Sequence, residues 1–209
     1  MGDSSRLLGG IAVTSPAGTV DFVNETPPLA VPTLEAGLFR LRPFRLSDLD
    51  VVREASQDEH IVSVTTVSAQ FSEEEGRLFI QRQWQRATDG TGYSFAIADA
   101  LTDQALGLVG LRLRNIDEGR GCLGYWVASS GRGRGAAQQA VSSVSRWALD
   151  HLQIPRLELY VEPWNEASVR TAEHAGFQRE GLLRSWQVVG NERRDMWMYS
   201  LLRSDLPSD

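Results

Sequence analysis

Lysine is missing altogether: all 21 basic residues are arginine, set against 27 aspartates and glutamates for a formal net charge of -6. That balance argues against a surface built to grip nucleic-acid phosphates, so the arginines must act at particular places. Cysteine is nearly missing. A single thiol, Cys122, excludes an intrachain disulfide framework and a multi-cysteine zinc site, and it fits a reducing, cytoplasmic setting. His60, His151 and His174 are too scattered for metal-ligand spacing, so no metal site is expected. No apolar run approaches the ~18 residues of a membrane-spanning helix. The early "LLGGIAV" is too short and glycine-broken for a signal peptide, so no membrane partner is expected.

What is present is enough for one globular domain: 209 residues, 42% of them hydrophobic. Pro16, Pro27, Pro28 and Pro32 crowd the start, where no helical period is visible. Residues 1–36 therefore read as an extended arm, 37–204 as the folded domain and 205–209 as a tail. "LFRLRPF" alternates as a strand, followed by a helix with Ser47 as its N-cap and a second helix opened by Ser72 and Glu75. Period-two segments at 93–99, 105–114 and 121–129 predict an antiparallel meander. A helix over 135–152 comes next, then a strand at 156–162, a short helix ended by Gly176, and a hairpin turning at Gly190 and Asn191. The fold class is α/β (α+β), a mixed and mostly antiparallel sheet of about seven strands with about four helices. The helix between strands 121–129 and 156–162 makes those two parallel neighbours.

The segment "VASSGRGRGAAQQAV", residues 127–141, runs from strand into helix. Unpaired amides and the helix dipole make such a junction an anion site, and Gly131, Gly133 and Gly135 would let phosphate oxygens reach the main chain. A P-loop needs a Lys-Ser/Thr pair that is absent. A dinucleotide fingerprint would open a parallel βαβ unit, whereas three meandering strands come first here. A flexible surface loop capping a structural helix is the plain alternative.

The spacing Arg132-x-x-Gly135-x-Ala137 after "LGYWVA", with "LRPFRLSDLD", "RLELYVEPWNEASVRTAEHAGFQREGLLR" and the closing hairpin, resembles the GNAT superfamily of acyl-CoA N-acyltransferases. Within it the likeness is to the RimJ/RimL-like branch, which includes ribosomal-protein N-terminal acetyltransferases; it covers about residues 37 to 202. The resemblance implies a GNAT fold and acetyl-CoA as acyl donor. It implies that the backbone of Arg132, Gly133, Arg134, Gly135, Ala136 and Ala137 holds the coenzyme A phosphates. The backbone near Val127 would pair with the pantetheine arm in a splayed gap between strands 121–129 and 156–162. Amides from Trp126 to Ala128 would polarise the acyl carbonyl.

Many GNAT enzymes carry a tyrosine on the helix after the 156–162 strand, where this chain has Ala172. In the RimL-like pattern a serine one turn in stands near the thiol, and Ser168 matches it; a plain helix serine is the competing reading. Asn165 either touches the cofactor or only caps its helix. A glutamate that the pattern places on the hairpin is Gln187 here, which is no base. Glu158 and Glu162 share a strand face, and either serves as base through water or merely pairs with arginines. Trp84, Trp164 and Trp186 are candidates for lining an acceptor cleft.

The resulting expectation is acetyl transfer to a primary amine by direct attack in a ternary complex, with a peptide N-terminal α-amine favoured by the resemblance. An antibiotic or polyamine acceptor and a succinyl-CoA donor are the enzymatic alternatives. Ala172 and Gln187 favour the rival from another class, a non-catalytic acyl-CoA-binding regulatory module. Homodimerisation through a sheet edge or the arm is compatible with the sequence.

Overall fold

The computed structural model describes residues 29–206. The arm expected over 1–36 lies outside the described residues up to residue 28, and so does the end of the tail. The last part of that expected arm belongs to the sheet: β1 (Leu34–Ala36) turns at Gly37, φ 63°, and pairs antiparallel with β2 (Phe39–Arg42). The folded body thus begins before Gly37, because three residues suffice to extend a sheet edge but are too few to show a period. A 3-10 turn over Leu46–Asp48 leads into α1 (Leu49–Ala55), so Ser47 lies inside the turn and is not the helix cap. Asp48 takes that position. Its carboxylate is held by both terminal nitrogens of Arg42, at 2.8 and 2.9 Å, in a pair that is almost fully buried.

A helix not anticipated from periodicity follows: α2 (Glu59–Val64), capped by the Asp58 carboxylate on the Ile61 amide at 3.0 Å. α3 (Glu73–Thr88) starts as expected, with Ser72 Oγ accepting from Glu75 N at 3.1 Å. The meander is β3 (Gly92–Asp99), β4 (Ala105–Asn115) and β5 (Arg120–Val127). After α4 (Ala136–Asp150) come β6 (Arg156–Val161), α5 (Glu166–His174), β7 (Gln178–Val189) and β8 (Glu192–Leu202). One mostly antiparallel eight-stranded sheet results, in the order β1-β2-β3-β4-β5-β6-β8-β7.

Strand alternation sends side chains to two cores. Phe95, Val109, Leu111 and Leu123 lie under Ala140, Val141, Val144 and Ala148 of α4. Ala96, Leu108 and Trp126 face the other way, against Val52, Phe79 and Ile80 of α1 and α3. The sheet therefore separates an α4/α5 side from an α1–α3 side.

Among the described residues the one parallel pairing is brief. β5 and β6 register at Arg120↔Arg156, Gly121↔Leu157 and Cys122↔Glu158 and then part. β5 stays with β4 through Val127, and β6 stays with β8 through Val161. Each strand keeps its outer neighbour, so a wedge opens between Leu123–Val127 and Leu159–Val161.

Candidate active site

A cavity of ≈ 330 Å³ fills the wedge and extends onto the α1–α3 side. Trp126 and Tyr125 of β5, Tyr160 and Val161 of β6, Asn165 and Ser168 at the start of α5, and His60 of α2 all line it. The wedge thus joins the two faces of the sheet.

At the mouth of α4 the loop glycines divide. Gly131 is a packing residue, since a Cβ there would come within 2.9 Å of Leu106 Cβ and Val127 Cγ1. Gly133 (φ 75°) and Gly135 (φ 77°) need the left-handed region, and a Cβ on Gly133 would meet nothing within 4 Å. No side chain caps α4, and its first turn has no acidic residue. The amides of Ala136 and Ala137 have no acceptor within the helix and point outward from its N-terminus. This cradle of backbone donors fits an anionic phosphate group.

The loop arginines face elsewhere. Arg132 reaches Asp58 and donates from Nε to the Val127 carbonyl at 3.0 Å; Arg134 binds Asp99 and lies over the Phe39 ring at 5.4 Å. The Arg134 hydrogen bond holds the Asp99 carboxyl at about 2, below its ordinary 3.8. Both guanidinium groups brace the loop to the body. Glu54 completes the brace, accepting from the hydroxyls of Ser129 and Ser130 and from the Ser130 amide at 2.7 Å.

Of the amides expected to polarise a carbonyl, that of Ala128 is already bonded to Leu106 O at 2.9 Å. The antiparallel ladder then turns the Trp126 amide toward Leu108 and the Val127 amide into the wedge. Val127 carries the one amide of the three that is open to a ligand there.

The two strand glutamates part company. Glu158, 2% exposed, receives Arg156 Nε at 2.9 Å and the Tyr160 hydroxyl at 2.8 Å, with Arg120 at 3.6 Å, and it does not line the cavity. Glu162 does. Trp164 Nε1 donates to its Oε1 at 3.0 Å, and its Oε2 stands 3.8 Å from His60 Nδ1. Asn165 caps α5, accepting the Ser168 amide on Oδ1 at 3.1 Å. That contact fixes the amide orientation, so Nδ2 faces His60 Nε2 at 3.4 Å. His60 thereby carries its proton on Nδ1, toward Glu162, and its lone pair on Nε2, toward the α5 start.

Beside Ser168 stands Tyr125, whose hydroxyl donates to the Ser168 carbonyl at 3.3 Å and whose ionisation burial pushes up. Ala172 is fully buried in the core, and Gln187 reaches the cavity from β7. Trp84, Trp164 and Trp186 do not line it. Trp84 hydrogen-bonds Phe44 O, Trp164 edges the back of His60 at 5.0 Å, and Trp186 packs on Tyr160 at 5.6 Å. The resemblance to the family makes His60 only a remote candidate base, and periodicity missed the helix that carries it; the Asp58 cap before Ile61 was that helix's local signal.

A mixed sheet wedged open beside a parallel pair, with an amide cradle at the following helix, defines an acyl-CoA-binding fold of the GNAT kind. The family model for the acetyltransferase (GNAT) domain matches residues 39–178, and the chain belongs to that family. It is an N-acetyltransferase that uses acetyl-CoA. An uncharacterized N-acetyltransferase, p20 of Bacillus licheniformis, is 28% identical over 173 residues, covering 83% of this chain and 97% of that protein. Mycobacterium smegmatis RimJ, solved with CoA-disulfide, superposes with a TM-score of 0.76 at 24% identity, over 88% of this chain and 93% of that one. A putative ribosomal-protein-serine acetyltransferase from Vibrio cholerae gives 0.72 at 21%, over 83% and 99%. The latter two likenesses show the fold.

Proposed function

We propose that the chain acetylates a primary amine, the α-amine of a peptide N-terminus, by direct attack in a ternary complex. The observation that carries this reading is the wedge: its cavity is lined both by Tyr125, Asn165 and Ser168 beside the start of α5 and by Phe79, Gln83 and Arg86 on the α3 side, which supports entry of donor and acceptor from opposite faces. The names of the relatives support a protein acceptor, since they include a putative ribosomal N-acetyltransferase of Bacillus subtilis, 29% identical over 97 residues covering 46% of this chain and 53% of that protein.

Acetyl-CoA supplies a thioester-activated acetyl group. Gly133 to Ala137 hold its phosphates by backbone amides, and the Val127 amide faces the carbonyl. An amine attacks only when neutral. His60 Nε2 takes the ammonium proton once the bound amine displaces the long 3.4 Å contact from Asn165 Nδ2, and Glu162, fixed by Trp164, stabilises the imidazolium from the Nδ1 side. Ser168 and Tyr125 supply hydroxyl donors at the wedge. Glu158 keeps a structural place among Arg156, Arg120 and Tyr160.

A small-molecule amine is the second reading. It is favoured by the β7–β8 hairpin, whose Gly190 amide donates to Ser63 O of α2 at 3.3 Å and whose Gln187 and Met196 line the cavity. Mass spectrometry after incubation with acetyl-CoA and a panel of peptides, polyamines and aminoglycosides separates the two. Acetylation of peptide α-amines is expected. Modification of polyamines or aminoglycosides alone would replace the first reading with the second, and acetyl-CoA binding without any product would leave a regulatory module.

A further inference from the structure

The amide cradle and the proton-handling residues leave one end of the cavity unexplained. There Arg86 of α3 and Arg112 of β4 form the wall with Gln83, Gly110 and Cys122. Arg86 Nη1 donates to Ser94 Oγ at 3.2 Å, that hydroxyl donates to Gln83 Oε1 at 3.3 Å, and Gln83 Nε2 donates to Phe79 O at 2.8 Å. Ser94 and Gln83 are each 2% exposed. This relay fixes the guanidinium through neutral groups and offers it no negative charge.

Arg82, one turn earlier on α3, donates to Thr66 O at 2.9 Å and buries its Nε without an acceptor. Among the described residues no carboxylate forms an ion pair with Arg82, Arg86 or Arg112. Of these three, Arg82 and Arg86 are partly buried and Arg112 is exposed; the other described arginines that are at least partly buried all have one: Arg40 has Glu35, Arg42 has Asp48, Arg120 has Glu118 and Arg156 has Glu158. Burial, and then the charges of Arg112 and Arg82, lower the Arg86 pKa from its ordinary value. A partly buried guanidinium beside like charges and without a counterion is unfavourable, and a bound anion relieves it.

The position of the cluster says which ligand brings that anion. Strand alternation puts Arg112 on the same sheet face as Gly110 and Leu108, toward α3 and away from the α4 cradle. The cluster therefore serves the acceptor side and not the pyrophosphate. Register places Arg112 opposite Cys122, where the wedge closes, whereas Tyr125 to Val127 mark the reacting end. Three to five residues along β5, at roughly 3.3 Å each, put on the order of 10 Å between them.

Resting on the N-acetyltransferase reading above, we propose that the acceptor carries a carboxylate on the order of 10 Å from its reacting amine, clamped by Arg86 and Arg112. An α-carboxylate on the amine-bearing carbon is too close. An acidic side chain at the second or third residue of a peptide N-terminus fits, as does a small ω-amino acid.

Calorimetric titration of the full chain saturated with coenzyme A tests this, using the tetrapeptide amides Ala-Glu-Ala-Ala and Ala-Gln-Ala-Ala, with 6-aminohexanoate against hexylamine as a separate arm. In one arm or both, the carboxylate-bearing acceptor is expected to bind roughly 10- to 100-fold tighter than its neutral partner. That ratio should fall to near one in Arg86→Gln and in Arg112→Gln. Arg112 is exposed, so its variant keeps the test valid if Arg86→Gln disturbs folding. The arm that shows the preference identifies the source of the carboxylate. Equal binding of acidic and neutral acceptors, no binding of either acid, or a preference unchanged in both variants overturns the inference, whatever the transfer rate. Preferential binding without acetyl transfer keeps the carboxylate clamp and defeats the transferase reading instead.

Discussion

Two sets of arginines invite comparison. Arg132 and Arg134 sit in the loop proposed to hold the cofactor, yet each is paired with a carboxylate of the body, Asp58 and Asp99. Arg86 and Arg112 sit in no motif, yet they face the acceptor cavity without a carboxylate. On the function proposed above, the phosphate site would be made from backbone amides whose positions the loop arginines secure. Side-chain charge is left free where a ligand is to be selected.

The sharpest way to break the paired class is Arg42→Ala. It strips the buried Asp48 carboxylate of both its guanidinium bonds, and it should cost about 3–5 kcal/mol of stability in denaturant melts, as an uncompensated buried charge does. Next is the catalytic pair. Glu162→Gln should lower kcat roughly 100- to 10,000-fold while acetyl-CoA affinity holds, a split that a purely structural glutamate would not produce.

Gly135→Asp places a carboxylate among the cradle amides at φ 77° and should weaken coenzyme A binding roughly 10- to 100-fold by titration. Arg132→Gln should weaken it by only about threefold, the scale of an exposed ion pair. The reverse ranking would move phosphate binding from amides to side chains.

The smallest effect concerns acid. The Arg156 hydrogen bond holds the Glu180 carboxyl at about 2, below its ordinary 4.5. Because the folded value is the depressed one, this pair contributes stability above about pH 4.5 and loses it as pH falls toward 2. Glu180→Gln, which leaves the Arg156 bond to buried Glu158 in place, should flatten acid unfolding in that window. The effect is modest because Glu180 is 42% exposed to water.

How much the sequence revealed follows from how local each feature is. The meander and α4 carry their period in consecutive residues and were legible to within a few positions. β1 with three residues and α2 with six are too short for any period, so the sheet gained an edge and His60 gained a helix that spacing did not predict. The wedge depends on where β5 leaves β6, a register between distant segments, and only the family resemblance pointed to it. Arg86 and Arg112 are drawn together by packing of α3 on the sheet, with no local sign in either segment. The tryptophans misled because indole rings suit clefts in general, while Trp84 and Trp164 are held by hydrogen bonds to Phe44 O and Glu162 away from the cavity lining.

The central claim, that donor and acceptor meet in the wedge from opposite faces, is tested most directly by initial rates of coenzyme A thiol release with acetyl-CoA and a peptide amine both varied. Intersecting double-reciprocal lines, the signature of a ternary complex, are predicted. Parallel lines, which report coenzyme A leaving an acetylated enzyme before the amine binds, would contradict it.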